Sequence, residues 1–344
     1  MGQQIFAHPL GVHCGAIGEG ATGGPAAQDR RFLDGLRRAV ECGATLLDTA
    51  DSYGAGHSER VVGRLLRECR DVPLQLSSKV GRLRGSAPHP YAGRRIHHQL
   101  EQTLENLYTE HLDLYILASH DFGEGDRYLG TAIEQMRTLQ QLGSIRAIGM
   151  RGPHTGCWAS PAEQRTRAER FRYLFRLIKP DVVWAHFNAL TPMVQLEGED
   201  LFSFTARHGV GLILAAPLAQ GVLTGKHTGR PVGVPPGGRH AWTSAAGFTS
   251  HAMESIAAGL EILQHRFGDA PGSLTRLALR SCLQQADHCV VVCGFTSAQQ
   301  VVENYRCLGA PLTPSELAAV AGVYAQIRAD LHRVPDPQEV HARL

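Results

Sequence analysis

Three residues whose types together can manage a proton are Asp48, Tyr53 and Lys79. The first two lie in Leu47-Asp48-Thr49-Ala50-Asp51-Ser52-Tyr53-Gly54-Ala55-Gly56-His57-Ser58-Glu59, which begins where an apolar run ends. The segment turns through Gly54 and Gly56 and enters a helix that Ser58 is expected to cap. Lys79 closes the next apolar run, after Leu76-Ser77-Ser78. An ammonium lowers the pKa of a phenol beside it, and a carboxylate keeps the ammonium charged and oriented. The phenol could then exchange a proton with a carbonyl or alcohol oxygen. The plainer alternative is a loop tyrosine beside a structural Asp–Lys ion pair.

The elements that must position these groups recur along the chain. Short runs rich in apolar and β-branched residues lie near Leu10–Cys14, Thr45–Ala50, Leu74–Lys79 and Leu112–Ala118. Four more lie near Ile145–Met150, Asp181–His186, Val210–Ala216 and Cys289–Gly294. Amphipathic helical patterns such as Arg30–Cys42, Glu59–Arg70 and Arg94–Tyr108 separate them, and the charged Arg165–Arg176 reads as a solvated helix face. Strands alternating with helices predict a parallel α/β protein, and eight such units favour a single (β/α)8 TIM barrel over 1–344. The segment Gly15–Gly20 lacks GxGxxG, which argues against a dinucleotide-binding open sheet. A long loop at about 226–250, rich in Gly, Pro and Ser/Thr, is expected as an insertion between strands seven and eight.

Composition narrows the function. Apolar residues make up 43% of the 344 and charged residues 19%, which suits a globular protein. With 34 basic and 32 acidic side chains, charge gives no reason to expect nucleic acid or an anionic membrane as partner. A small-molecule substrate is expected. No stretch reaches the roughly 18 apolar residues of a membrane span, and Met1-Gly2-Gln3-Gln4 does not read as a secretory signal, so a cytoplasmic protein is expected. Eight cysteines without CxxC spacing read as reduced and structural. His97-His98 are helical neighbours expected to point apart; no HExxH pair occurs, and no metal is expected.

The order of motifs resembles the aldo-keto reductase family. DTADSYGAGHSE resembles the family's stretch around its catalytic Asp and Tyr, and SSKVG the strand end carrying its Lys. LDLYIL, SIRAIG, PDVVWAHFN, APLAQGVLTGK and VCGFTSAQQVVEN follow in the family's order. The resemblance spans nearly the whole chain and implies a (β/α)8 barrel, an extended NADP(H) or NAD(H), and hydride transfer to a carbonyl. It implies catalytic positions at Asp48, Tyr53 and Lys79. It assigns the pyrophosphate to the loop with Pro217, Leu218, Gln220, Gly221 and Lys226. The 2′-phosphate and adenine fall to Gly294, Phe295, Thr296, Ser297, Gln300 and Asn304, since a helix amino terminus attracts phosphate.

The nicotinamide end departs from that pattern. Arg151 and Gly152 stand where the family has Ser-Asn, Trp184 where it has Gln, and Ala215 where it often has an aromatic ring. The family's catalytic His position holds Ala118, with His120 two residues on; a bulge could bring His120 in to orient substrate. Either the nicotinamide is held differently, against Arg151 and a stacking Trp184, or that pocket serves another ligand, with Arg151 as an anion clamp. The leading expectation is an NADP(H)-dependent oxidoreductase reducing a small carbonyl or aldehyde. The alternatives are a redox-neutral lyase, dehydratase or isomerase on the same barrel, and a non-catalytic binding subunit like the family's potassium-channel β subunits.

Overall fold

Side chains alternate across a strand, so in a closed barrel every second residue points inward. The computed structural model of the chain describes residues 7–17, 25–154, 159–191, 193–226 and 250–331. Its parallel strands are β1 Leu10–His13, β2 Leu46–Asp48, β3 Gln75–Val80, β4 Leu112–Leu117, β5 Ile145–Arg151, β6 Val182–His186, β7 Gly211–Ala215 and β8 Cys289–Gly294. They close in sequence order into one barrel, with β1 bonded to β8. The (β/α)8 reading of the sequence holds, with strand ends shifted by at most two residues.

Leu46, Leu114, Ile116, Ala147, Val182, Ile213 and Val290 fill the barrel interior. Two to four residues further along the same inward rows stand Asp48, Arg151 and Trp184, with Lys79 above Ser77 on β3. The chemistry is therefore the top layer of the packed interior, at the carboxyl ends of the strands, where barrel sites form.

Helices α1 Pro25–Glu41, α2 His57–Glu68, α3 Arg95–Leu107, α4 Leu129–Gln141, α5 Pro161–Ile178 and α6 Leu201–Arg207 follow the first six strands in turn. After β7 come a 3₁₀ turn at Ala219–Thr224 and helices α7 Ser250–Phe267 and α8 Ser273–Leu283; α9 Ala298–Arg306 and α10 Pro314–Leu331 follow β8. Helices α7, α8 and α10 share a second apolar core with the 3₁₀ turn. Most of the expected loop insertion, 227–249, lies outside the described residues.

Two local features differ from expectation. Gly56, at φ 82°, caps α2, because a left-handed turn costs glycine little. Ser58 sits inside the first turn instead, where its hydroxyl donates to the Cys14 carbonyl at 3.0 Å and meets Thr49 Oγ1 at 2.9 Å. It ties the ends of β1 and β2 to the helix.

The second concerns Phe295, expected at the adenine. It is 3% exposed, edge-on to Phe32 at 5.8 Å, and fills the hollow left by Gly35 on α1. Apolar burial outweighs any surface role for this ring. A Cβ at Gly35 would run into it. Alanine gains at most about 1 kcal/mol of helix propensity over glycine, while overpacking costs about 1–3 kcal/mol. With the added Cβ well inside van der Waals contact of the Phe295 ring, the upper part of that cost applies. Gly35→Ala should therefore lower stability by about 2 kcal/mol in denaturant unfolding; a stabilised variant would mean that Phe295 is loosely held.

Candidate active site

A fully buried carboxylate organises the barrel mouth. Asp48 Oδ1 accepts from Lys79 Nζ at 2.8 Å and Ser77 Oγ at 2.9 Å, and Oδ2 accepts from His13 Nδ1 at 2.8 Å and Trp184 Nε1 at 3.1 Å. Burial alone would raise its pKa, but Lys79 and His13 overcome that and hold it at about 2. Lys79 also donates to the Thr49 carbonyl at 2.6 Å. Burial pulls the Lys79 pKa down, with Asp48 opposing it.

Tyr53, in the turn before α2, completes the cluster. Lys79 Nζ lies 5.0 Å from its ring centre, and His13 stands edge-on to it at 5.4 Å. The expected lowering of the phenol pKa by Lys79 is not what the geometry gives. Burial and then Asp48 push the phenol well above 10, opposed by Arg151 and Arg82. The Lys79 charge is spent on Asp48 and the Thr49 carbonyl, and it faces the ring rather than ion-pairing with the hydroxyl. The phenol is a retained proton donor.

His120 is not brought to this trio. Its Nε2 donates to the Arg151 carbonyl at 2.7 Å, and burial lowers its pKa to about 4, leaving a neutral ring braced near Phe171. The histidine that reaches Asp48 is His13, which sequence reading missed. The signal was available: His13 is the last inward residue of β1, in register with Asp48. His186 lies 4.9 Å from both Trp184 and His154, and burial lowers both histidines, His154 to about 3. The mouth is thus rich in neutral imidazoles. His97 and His98, expected to diverge, both reach Glu101, at 3.2 and 3.1 Å.

Behind the mouth, Asp51 is 1% exposed and neither of its carboxyl oxygens has a well-formed hydrogen-bond partner, the neighbouring Ser52 amide offering only weak support. Burial, and then Glu59, raise its pKa to about 8. Glu59 is itself buried but accepts from Ser78, Thr103 and Asn106. Asp51 is accordingly protonated at neutral pH, while Asp48 is charged.

The two ends of an extended dinucleotide would meet unlike surfaces. Ser297 caps α9 through Gln300 N, and Gln300 Oε1 accepts from Thr296 N and Oγ1 at 2.7 and 3.0 Å. That leaves the Ala298 and Gln299 amides at the helix start without intrahelical acceptors, beside exposed Gly294. Lys226 is exposed and touches Glu303 at 3.4 Å. Gln220 is exposed and Gly221 partly so, both at positive φ, whereas Pro217 is buried and Leu218 packs against the cores. These donors suit phosphates. Asn304 does not face them: it is buried and donates to Cys293 Sγ at 3.3 Å.

At the nicotinamide end the polar set implied by the resemblance is missing. Gly152 has no side chain, and a Cβ there would meet Ala185 Cβ at 2.9 Å. The Trp184 indole N–H is engaged by Asp48, and its ring, 3% exposed, is walled by Lys79, His13, His186 and Arg151. Stacking of Trp184 on a nicotinamide finds no free face.

A parallel eight-stranded barrel with an Asp–Lys–Tyr cluster at its carboxyl mouth defines a class of enzyme architecture. A model of the aldo/keto reductase family matches residues 16–325, and the chain belongs to that family of oxidoreductases. It is 25% identical over 307 residues to L-galactose dehydrogenase of Arabidopsis thaliana, covering 86% of this chain and 84% of that one. It is 25% identical over 323 residues to NADH-specific methylglyoxal reductase of Escherichia coli, with 89% and 91% covered. The glycerol dehydrogenase structure from Gluconobacter oxydans superposes with a TM-score of 0.74 at 23% identity, covering 98% of this chain and 97% of that one.

The Asp51 carboxyl generates a stability prediction. Its folded pKa of about 8 lies above the ordinary 3.8, so its contribution is full below pH 3.8 and lost as pH rises through 8. Asp51→Asn abolishes that loss. Its stability relative to the parent should climb from pH 4 to 8 and then level, by at most about 1.4 kcal/mol per pH unit, with the melting temperature following. Calorimetry at several pH values checks this; an offset independent of pH would show that Asp51 finds a partner when folded.

Proposed function

We propose that the protein is an NADP(H)-dependent reductase of the carbonyl group of a small aldehyde or ketone, with NAD(H) as the alternative coenzyme. The observation that carries this reading is the protonated Tyr53 phenol beside a lysine fixed by a buried aspartate. Supporting the coenzyme are the phosphate-suited donors at Ser297, Ala298, Gln299 and Lys226, and two kinds of relative. One is the NADH-specific reductase; the other is a Klebsiella pneumoniae aldo/keto reductase solved with NADP and acetate, TM-score 0.62, 21% identical, covering 92% of this chain and 91% of that one.

A bound reduced nicotinamide would supply the hydride. The chain's own work is to manage the charge that grows on the carbonyl oxygen. Tyr53 donates its phenolic proton to that oxygen, and Lys79 at the ring face stabilises the phenolate left behind. Asp48 keeps Lys79 protonated against the burial that depresses it. His13, bonded to Asp48 and edge-on to Tyr53, fixes the ring.

Titration with NADPH and NADH, followed by protein fluorescence and by coenzyme absorbance with benzaldehyde, tests the reading. Binding with turnover is expected, and Tyr53→Phe should lower kcat about 10²- to 10⁴-fold. Because the phenol titrates above 10, kcat/KM should show no basic limb from Tyr53 below pH 10. Absence of nicotinamide binding, or turnover that survives Tyr53→Phe, would remove the proposal.

A further inference from the structure

We infer that the barrel mouth holds an anion beside the catalytic tyrosine, so that the preferred substrates are carbonyl compounds bearing a carboxylate or a phosphate, gripped by Arg151. This rests on the reductase reading above and names its substrate class.

Arg151 ends β5 on the inward row, in register with Trp184 on β6. Its guanidinium carbon lies 5.8 Å from the indole centre, and Lys79 Nζ lies 4.9 Å from the same ring and 5.0 Å from Tyr53. Guanidinium and ammonium therefore both lie against the one indole, the ammonium also lies against the phenol ring, and the Arg151 charge reaches Tyr53. Among the described residues Arg151 makes no ion pair, and its guanidinium makes no hydrogen bond. The local carboxylates are already engaged or protonated. Both Asp48 oxygens are taken by Lys79, Ser77, His13 and Trp184, and Glu59 is taken by Ser78, Thr103 and Asn106.

Arg82 and Arg167, both exposed, form no ion pair among the described residues, although Glu163 lies within range of the Arg167 charge, and both arginines are close enough for their charges to act on Arg151. By contrast, Arg170, on α5 with Arg167, pairs with Asp126. Burial, then Arg82 and Arg167, draw the Arg151 pKa down to about 10, so it remains charged at neutral pH. A largely buried guanidinium without a counter-charge is costly, and an arriving anion relieves that cost. The planar fork matches either carboxylate or phosphate oxygens.

The coenzyme's phosphates do not account for this cation. Their donors follow β7 and β8, two and three strands round the barrel from β5. The anion at Arg151 belongs to the molecule whose carbonyl meets Tyr53.

The test compares 4-carboxybenzaldehyde and 4-formylphenyl phosphate with benzaldehyde. In the parent, kcat/KM should favour one or both anionic aldehydes by about 10- to 100-fold, mainly through KM, as expected of a charge-assisted pair. The arm that gains more identifies carboxylate or phosphate as the recognised group. In Arg151→Gln the ratio of anionic to neutral kcat/KM should collapse toward one, whatever happens to the neutral rate. Arg82→Gln, at an exposed position, should reduce the ratio by a smaller factor. A parent ratio near one, or a ratio that survives Arg151→Gln, overturns the inference and leaves the reductase standing. If no aldehyde is turned over, calorimetry with 4-(hydroxymethyl)benzoate decides: binding lost in Arg151→Gln supports the anion site while the reductase reading fails. No binding by the parent overturns the anion site as well.

Discussion

Everything at the barrel mouth depends on satisfying one buried negative charge. Asp48 is removed from water at the end of β2, and a lone carboxylate there would neutralise rather than stay ionised. It remains charged because donors converge on it from β1, β3 and β6. Those contacts fix the relative heights of strands that are not all neighbours. The Trp184 indole reaches across the interior to do so, which explains how a bulky ring fits where the aldo/keto reductase pattern carries a glutamine.

The same constraint shapes the chemistry. Lys79 cannot both neutralise Asp48 and strongly acidify Tyr53, because its ammonium is held by the carboxylate and by the Thr49 carbonyl. The phenol consequently keeps its proton, as a donor to a developing alkoxide requires. With Asp48 balanced internally, the mouth is left with the largely buried Arg151, the exposed Arg82 and Arg167, and histidines kept neutral by burial. One interior charge is thus closed on itself, and the arginine charges around it are not cancelled by Asp48.

Much of this was legible in the sequence. Apolar runs separated by amphipathic segments specify the barrel because parallel strands are covered on both faces. Asp48 and Lys79 were legible because each ends such a run. His13 could have been found by the same parity, since it ends β1 on the inward row. Other features depend on distant packing that no local pattern encodes. Phe295 turns inward because Gly35, on α1, leaves room for it. Asn304 finds a buried cysteine rather than a nucleotide. His120 is captured by the Arg151 carbonyl, and Ser58 by the Cys14 carbonyl. The raised phenol pKa is not legible in the sequence, because residue types do not tell which partner an ammonium faces.

The central claim is that Asp48 and Lys79 form one electrostatic unit on which the mouth is built. Denaturant unfolding at pH 7 of Asp48→Asn, Lys79→Met and the double variant tests it most directly. Lys79→Met alone leaves a buried carboxylate short of its cation and should cost about 3–5 kcal/mol. Removing both charges should cost less than removing Lys79 alone, with the two losses strongly non-additive. Losses that simply add would contradict the account, because Asp48 would then be satisfied without its lysine.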